Sequence, residues 1–130
     1  MTNRSLRILV LDDSPEYLAF MRALLTAEGF QVEVAQSGAA ARTALATTLP
    51  DLIISDVRVP DMPAFGMLDL VDTDEKARGI PVLFCTGATR EVEEAAGRLK
   101  RPRTEVLLKP FDVDDLLACV SRLAQSAGGR

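Results

Sequence analysis

The sequence predicts an α/β fold, in which a parallel sheet carries helices on both faces. Five short apolar runs alternate along the chain with longer amphipathic runs. The short runs are rich in leucine and β-branched residues and are bounded by Gly, Pro, Ser or Asp, as strands usually are. Because right-handed crossovers must return each helix over the sheet, five such units in series form a three-layer sandwich.

Each strand and the first helix have a local reason in the sequence. The strands are predicted over residues 7–11, 31–35, 52–55, 81–85 and 106–108. The first helix is predicted over 15–28, since Ser14 and Pro15 form an N-cap and first-position pair. Gly29 then supplies the left-handed residue that ends it.

The later helices differ in the strength of their signals. Ser37 caps a second, alanine-rich helix that ends near residue 47 and can pack closely on the sheet. A third helix over 64–71 has the weakest pattern, and its start is expected to be late or bent. The fourth, over 90–100, has a narrow apolar stripe and should be weakly anchored. Asp112 caps a fifth helix with a broad apolar face.

Length and composition limit the domain organisation. The 130 residues, 48% hydrophobic and 26% charged, suffice for one compact domain and are too few for two. We therefore expect a single domain over 1–130, with a core of about 6–124, a frayed tail at 126–130 and no output domain.

Charge and residue counts exclude several classes of function. Fifteen Lys and Arg against nineteen Asp and Glu give a net charge of −4, which argues against binding nucleic acid or anionic membranes by bulk attraction. A short basic run is therefore interpreted as a solvated edge or part of a protein-docking surface: Arg98, Lys100, Arg101 and Arg103. The absence of histidine excludes histidine-dependent triads, imidazole zinc sites and phosphohistidine chemistry on this chain.

The cysteines and the N-terminus predict a cytoplasmic location. Cys85 and Cys119 form no CxxC pair and lie in apolar surroundings, which favours buried free thiols in a reducing compartment. The first apolar run stops at Asp12 after four residues, too short for a signal-peptide core or a membrane span.

Residues with a carboxylate, a hydroxyl or an ammonium group follow four of the five predicted strands. In an open α/β sheet, ligands bind beyond the carboxyl ends of the strands. Asp12 and Asp13 follow the first strand, Asp56 the third, Thr86 the fourth and Lys109 the fifth. Alone, each aspartate is often only a helix cap, Thr86 an ordinary turn residue and Lys109 a solvated side chain. Their coincidence at one rim indicates a shared site.

The residue types at this rim indicate magnesium-assisted phosphoryl chemistry. Three neighbouring carboxylates repel one another unless a cation joins them, and oxygen ligands suit Mg²⁺. A carboxylate oxygen that remains free can attack phosphorus, while an ammonium and a hydroxyl hold the phosphoryl oxygens.

Four motifs resemble the receiver domain of bacterial two-component response regulators. They are LVLDDS at 9–14, Asp56 before VRVP, FCTG at 84–87 and KPF at 109–111, and the resemblance covers about residues 6–124. It implies a (βα)5 flavodoxin-like sandwich with strand order 2-1-3-4-5. Phe-x-Thr-Gly, together with the small aliphatic Val106 three residues before Lys109, is similar to the pattern of single-domain receivers called the FATGUY group.

The resemblance implies a role for each rim residue. Asp56 matches the phosphoacceptor and a Mg²⁺ ligand, Asp13 a direct ligand, and Asp12 a ligand acting through water. The backbone carbonyl of Arg58 matches a further ligand. Thr86 and Lys109 match the groups that stabilise the phosphoryl group, and the Lys109–Pro110 bond is expected to be cis although only about 5% of X-Pro bonds are.

Three features depart from the family pattern. Val106 occupies the position of an aromatic switch, so that switch is absent. Arg58 is a large cation where small or amide residues are common. The segment 60–66 is about two residues longer than usual, and its two prolines stiffen it near Asp56.

The expected function is a stand-alone response regulator that takes a phosphoryl group from a histidine kinase or histidine phosphotransfer protein. Its downstream protein target would bind the face of the fourth helix, fifth strand and fifth helix; a homodimer is a further option, and no nucleic acid or membrane is expected. Beyond self-phosphorylation and autodephosphorylation, no enzymatic activity is implied.

Two other functions remain open. The first is a receiver-like adaptor that works without phosphorylation, which Val106 and the altered loop favour and the five retained rim residues oppose. The second is a carboxylate-based phosphatase, although Asp12 and Asp13 are adjacent rather than spaced Asp-x-Asp. A flavin domain is disfavoured because two aspartates after the first strand would repel its phosphate.

Overall fold

The structure is a computed structural model that describes residues 5–128, with side chains described to residue 125. Its elements, in chain order, are β1 Arg7–Leu11, α1 Pro15–Ala27, β2 Gln31–Ala35, α2 Gly38–Thr47, β3 Leu52–Ser55, α3 Gly66–Asp72, β4 Val82–Thr86, α4 Thr89–Glu94, α5 Ala96–Leu99, β5 Thr104–Leu108 and α6 Val113–Gly128. Among these residues, no helix is both long and apolar enough to cross a membrane.

The five strands form one parallel sheet in the order β2-β1-β3-β4-β5, as expected. The register aligns the carboxyl ends of the central strands. Leu11 pairs with Ser55, so the residues that follow them, Asp12 and Asp56, leave neighbouring strands at the same level. Thr86 pairs with Leu108, which places Lys109 beside the end of β4.

The core consists of two apolar clusters on opposite faces of the sheet. Side chains of β1, β3 and β4 alternate between the clusters, as the two-residue period of a strand requires. One cluster packs against α2, α3 and the α4–α5 segment, and the other packs against α1 and α6. Both cysteines are free and buried, which confirms that prediction.

The predicted helix caps are present at α1 and α2. The Ser14 hydroxyl accepts a hydrogen bond from the Tyr17 N–H at 3.2 Å, and Ser37 accepts one from the Ala40 N–H at 3.1 Å. Gly29 has φ +97°, the left-handed conformation expected at the end of α1.

The prediction of one continuous fourth helix is wrong. Instead of one helix over 90–100, the chain forms α4 and α5, which are separated at Ala95 (φ −98°, ψ 13°). Neither helix has a fully buried residue, so little packing stabilises a longer one. Gly97, inside the second half, weakens it further.

Surface ion pairs join this segment to α3. The Arg98 guanidinium lies 2.6 Å from the Asp69 carboxylate, and Arg101 makes two hydrogen bonds to Asp72 at 2.6 and 2.7 Å. Two members of the predicted basic edge are therefore paired with acidic residues of the neighbouring helix. Exposed pairs of this kind contribute about 0–1 kcal/mol each.

Other element boundaries shift by a few residues. The strand predicted over 81–85 is Val82–Thr86, and the fifth strand begins at Thr104 instead of residue 106 because Thr104 and Glu105 also pair with β4. The third helix begins at Gly66, later than residue 64, because Phe65 adopts a left-handed backbone with φ 60°. The last helix runs to Gly128, so the expected frayed tail is helical over 126–128; residues 129–130 lie outside the described chain.

The loop over 60–66 is anchored against the start of α2. The Asp61 carboxylate accepts hydrogen bonds from the Gly38 N–H at 2.7 Å and the Ala39 N–H at 3.0 Å. A Cβ on Gly38 would collide with Met62, so glycine permits this close approach. The two N–H donors hold the pKa of Asp61 below its usual 3.8.

Replacing Asp61 with alanine is expected to lower stability in a pH-dependent way. Because the folded-state pKa is depressed, the stabilisation is fully present above 3.8 and is lost as the pH falls through the folded value. Urea unfolding of wild type and Asp61→Ala should therefore differ near neutral pH and converge in acid. A difference that stays constant over this range would rule out the carboxylate cap.

Candidate functional site

The site lies at the carboxyl ends of β1, β3, β4 and β5, where the sequence placed it. Three carboxylates meet there: Asp12 is buried, Asp13 is exposed and Asp56 lies between these extremes. One ligand oxygen from each lies within 4.8 Å of the others. The register described above produces this cluster, because Asp12 and Asp56 follow paired residues of neighbouring strands.

Asp12 is the most deeply placed of the three, with 2% exposure. Its Oδ1 accepts a hydrogen bond from the Ser14 N–H at 2.9 Å, and its Oδ2 lies 3.1 Å from the Lys109 Nζ. Burial raises the pKa of Asp12, while the Ser14 N–H and Lys109 oppose that rise. The Ser14 N–H and Lys109 therefore offset only part of the unfavourable effect of burying the anionic Asp12 carboxylate.

Asp56 presents its two oxygens to different surroundings. Oδ1 accepts a hydrogen bond from the Val57 N–H at 2.7 Å, whereas Oδ2 lies 3.6 Å from the Lys109 Nζ. The side chain retains 17% exposure, so a group from solvent can reach it. One oxygen is thus oriented by the backbone, and the carboxylate stays accessible.

Thr86 and Lys109 complete the rim from the last two strands. The Lys109 N–H donates to the Thr86 carbonyl at 2.8 Å, and the Lys109–Pro110 bond is cis, the geometry that the resemblance implied. The buried Thr86 Oγ1 accepts a hydrogen bond from the Ala88 N–H at 3.0 Å. The Thr86 hydroxyl is thus hydrogen-bonded within the loop that joins β4 to α4.

Sequence reasoning missed one aromatic residue of the site. The Tyr17 ring lies over Lys109, with its centroid 4.1 Å from Nζ. Tyr17 belongs to the first turn of α1, which begins directly after Asp12 and Asp13. This position in the sequence could have indicated its role, because the first turn of a helix that begins at the rim lies next to the rim.

The donor set fits a hard divalent cation. The three aspartates offer only oxygen ligands, and Lys109 is the cation that the described ion pairs place against Asp12 and Asp56. Closely spaced carboxylates with a single lysine leave negative charge uncompensated, a condition that favours Mg²⁺. Asp12, Asp13 and Asp56 are the residues that would hold it.

Comparison with known proteins identifies the family. The sequence model of the response regulator receiver domain matches residues 8–121, which is most of the chain. The chain belongs to the response regulator receiver domain family. Its fold is therefore that of a receiver domain of two-component systems, a family that generally binds Mg²⁺ at an acidic pocket.

Individual relatives agree with this family. The receiver domain is 34% identical over 122 residues to the transcriptional regulatory protein ZraR of Escherichia coli K12, and 35% identical over 121 residues to the response regulator PleD of Caulobacter vibrioides. These matches span 94% and 93% of this chain but only 27% and 26% of ZraR and PleD.

A solved structure of a response regulator of similar length has the same fold. The chemotaxis response regulator CheY4 of Vibrio cholerae matches with a TM-score of 0.81 and 28% identity, over 92% of this chain and 99% of that protein. Receiver domains interact with histidine kinases and with downstream targets.

Val106, the predicted position of the aromatic switch, has an aliphatic side chain. It pairs with Phe84 of β4. Its side chain is half-buried against the apolar cluster that packs on α2, α3 and the α4–α5 segment. Its side chain carries no hydroxyl or ring, so it cannot exchange hydrogen bonds between two rotamers.

The Arg58 side chain forms an ion pair with Glu91 of α4. Its guanidinium is exposed, and Nε donates to the Glu91 Oε2 at 2.7 Å, which also lowers the pKa of Glu91. The pair connects the loop after β3 with α4. The role of the Arg58 backbone carbonyl as a metal ligand stays a prediction.

Proposed function

We propose that this receiver domain accepts a phosphoryl group on Asp56 from the phosphohistidine of a histidine kinase or histidine phosphotransfer protein. The observation that carries the proposal is the position of Asp56, which shares one cluster with Asp12 and Asp13 and has Lys109 within 3.6 Å of its Oδ2. The partner must bring the histidine, since this chain has none.

The chemistry follows from the surroundings of Asp56. An Asp56 oxygen forms a bond to phosphorus as the bond from phosphorus to the imidazole nitrogen breaks, and the imidazole leaves with that electron pair and is protonated by solvent. The Val57 N–H holds the other oxygen in place. Bound Mg²⁺ would neutralise the carboxylates and contact a phosphoryl oxygen.

Lys109 and Thr86 stabilise the transferred group in this proposal. The Lys109 ammonium already lies near both Asp12 and Asp56, so little movement is needed for it to meet a phosphoryl oxygen. Thr86 Oγ1 would exchange its hydrogen bond from the Ala88 N–H for one that its own hydroxyl donates to the phosphoryl group. That exchange couples the β4–α4 loop to phosphorylation.

The consequence of phosphorylation would be altered protein binding. The loop that holds Thr86 continues into α4, which has no fully buried residue and is joined to the β3–α3 loop by the Arg58–Glu91 pair. We propose that a downstream target, or a second copy of the chain, reads changes on the face formed by α4, β5 and α6. A cytoplasmic location stays a prediction.

Incubation with acetyl phosphate tests the proposal, with intact-mass spectrometry as the readout. In Mg²⁺ the protein should gain one phosphoryl group, and excess EDTA should prevent the gain. No labelling under either condition, with no spectroscopic response to Mg²⁺, would favour the unphosphorylated adaptor. Steady turnover of a generic phosphate ester would instead favour the phosphatase.

A further inference from the structure

The Lys109 ammonium lies close to three groups: two carboxylates that directly follow β1 and β3, and an aromatic ring of α1. It lies 3.1 Å from the Asp12 Oδ2 and 3.6 Å from the Asp56 Oδ2. The Tyr17 ring centroid lies 4.1 Å from the same nitrogen. A ring face at this distance attracts a cation through its quadrupole, and the attraction grows where water is partly excluded.

The Tyr17 ring is held firmly enough to orient a flexible partner. Its backbone N–H donates to the Ser14 Oγ that caps α1, and its side chain packs against the cluster between the sheet and α1 and α6. The hydroxyl is buried and makes no hydrogen bond among the described residues, although the Cys85 thiol is close enough for each group to affect the pKa of the other. The hydroxyl end is thus enclosed, and the ring face meets Lys109.

Lys109 needs such support because its side chain is long and partly open to water. Its side chain is 28% exposed, and an ammonium on a four-carbon stem has many rotamers in solvent. The carboxylates attract it by charge, but that attraction weakens once a metal ion neutralises them. An uncharged ring face still attracts the ammonium in that state.

We propose that Tyr17 is a positioning residue for Lys109. Its ring keeps the ammonium beside Asp56 when the carboxylates are neutralised. Lys109 is then already in position to contact the phosphoryl group. The inference rests on the proposed function, in which Lys109 stabilises phosphoryl transfer to Asp56. The ring acts through Lys109 and does not contact the reacting atoms.

The test compares two substitutions of Tyr17 with one of a neighbouring ring. Tyr17→Phe keeps the ring face and removes the enclosed hydroxyl, whereas Tyr17→Leu keeps an apolar side chain and removes the face. Phe20→Leu is the matched control, because Phe20 lies on the same helix, 6.4 Å from Tyr17 between ring centroids, and is 46% exposed.

Labelling by acetyl phosphate should separate these variants. Tyr17→Leu should slow phosphorylation about 3- to 30-fold, the range of one partly desolvated cation–π contact. Tyr17→Phe and Phe20→Leu should stay close to wild type. The Mg²⁺ affinity of all four proteins should be similar, since the metal ligands are the aspartates and not Lys109.

A second measurement reports the contact itself. Reductive methylation with ¹³C-formaldehyde keeps the charge of the three lysines, Lys76, Lys100 and Lys109, and makes each visible by NMR. The Lys109 signal, assigned by its loss in Lys109→Arg, should show an upfield ring-current shift in wild type and Tyr17→Phe, and should lose it in Tyr17→Leu.

The outcomes distinguish this inference from the proposed function. The inference is overturned if wild type is labelled and Tyr17→Leu is labelled equally fast, or if the Lys109 signal in wild type shows no upfield shift. It is also overturned if Tyr17→Leu loses Mg²⁺ affinity together with labelling, because the ring would then support the whole site. A wild-type protein that takes no label contradicts the proposed function itself.

Discussion

Replacing Asp56 with asparagine is expected to abolish phosphorylation. The amide keeps the size of the side chain and an oxygen that can accept the Val57 hydrogen bond, so the fold should be retained. It removes the anionic nucleophile, and a neutral amide does not form an acyl phosphate. Intact-mass spectrometry after acetyl phosphate treatment should show no labelled Asp56→Asn protein in Mg²⁺.

A matched control separates this loss from a general loss of negative charge. Asp115→Asn makes the same chemical change at an exposed position in the first turn of α6, where the carboxylate is not part of the Asp12, Asp13 and Asp56 cluster. It should be labelled at the wild-type rate, and both variants should unfold cooperatively in urea. Labelling of folded Asp56→Asn at a comparable rate would show that the acceptor is another residue.

The largest loss of stability is expected from Phe84→Ala. Phe84 is fully buried in β4, an interior strand of the sheet, and its ring meets Phe65 edge to face at 5.1 Å and 78°. Truncating a buried phenylalanine costs about 3–5 kcal/mol, a large share of the roughly 5–15 kcal/mol that stabilises a domain. Urea unfolding followed by circular dichroism measures this loss.

The same substitution should loosen the loop that precedes α3. Phe65 is an aromatic residue with φ 60°, a conformation that costs energy and persists only where packing enforces it. Without the Phe84 ring, that enforcement weakens. The control is Phe20→Ala, an exposed aromatic whose loss should change the unfolding free energy by about 0.5 kcal/mol or less. Equal losses in both variants would refute the packing argument.

The site could be predicted from sequence because its residues are fixed by where strands end. Each apolar run stops at a recognisable polar residue, and parallel strands bring those ends to one rim. The positions of four rim residues could therefore be predicted without knowledge of distant contacts: Asp12, Asp56, Thr86 and Lys109. The sheet order and the cis peptide bond followed from the resemblance and agree with the structure.

The features that escaped prediction depend on contacts between distant parts of the chain. Asp61 caps the backbone of Gly38 and Ala39, more than twenty residues earlier, and no local pattern marks such a pair. The contact of Tyr17 with Lys109 joins α1 to the residue after β5. The break at Ala95 reflects missing tertiary packing, which a weak apolar stripe indicated only in part.

Chemical trapping of the labelled residue tests the central claim most directly. Borohydride reduces an aspartyl phosphate to homoserine, so reduction of the protein after acetyl phosphate treatment in Mg²⁺ marks the acceptor, and peptide sequencing by mass spectrometry locates it. Our account predicts homoserine at position 56 and aspartate at Asp12 and Asp13. Homoserine at either of those neighbours, or a labelled protein that yields no homoserine, would contradict it.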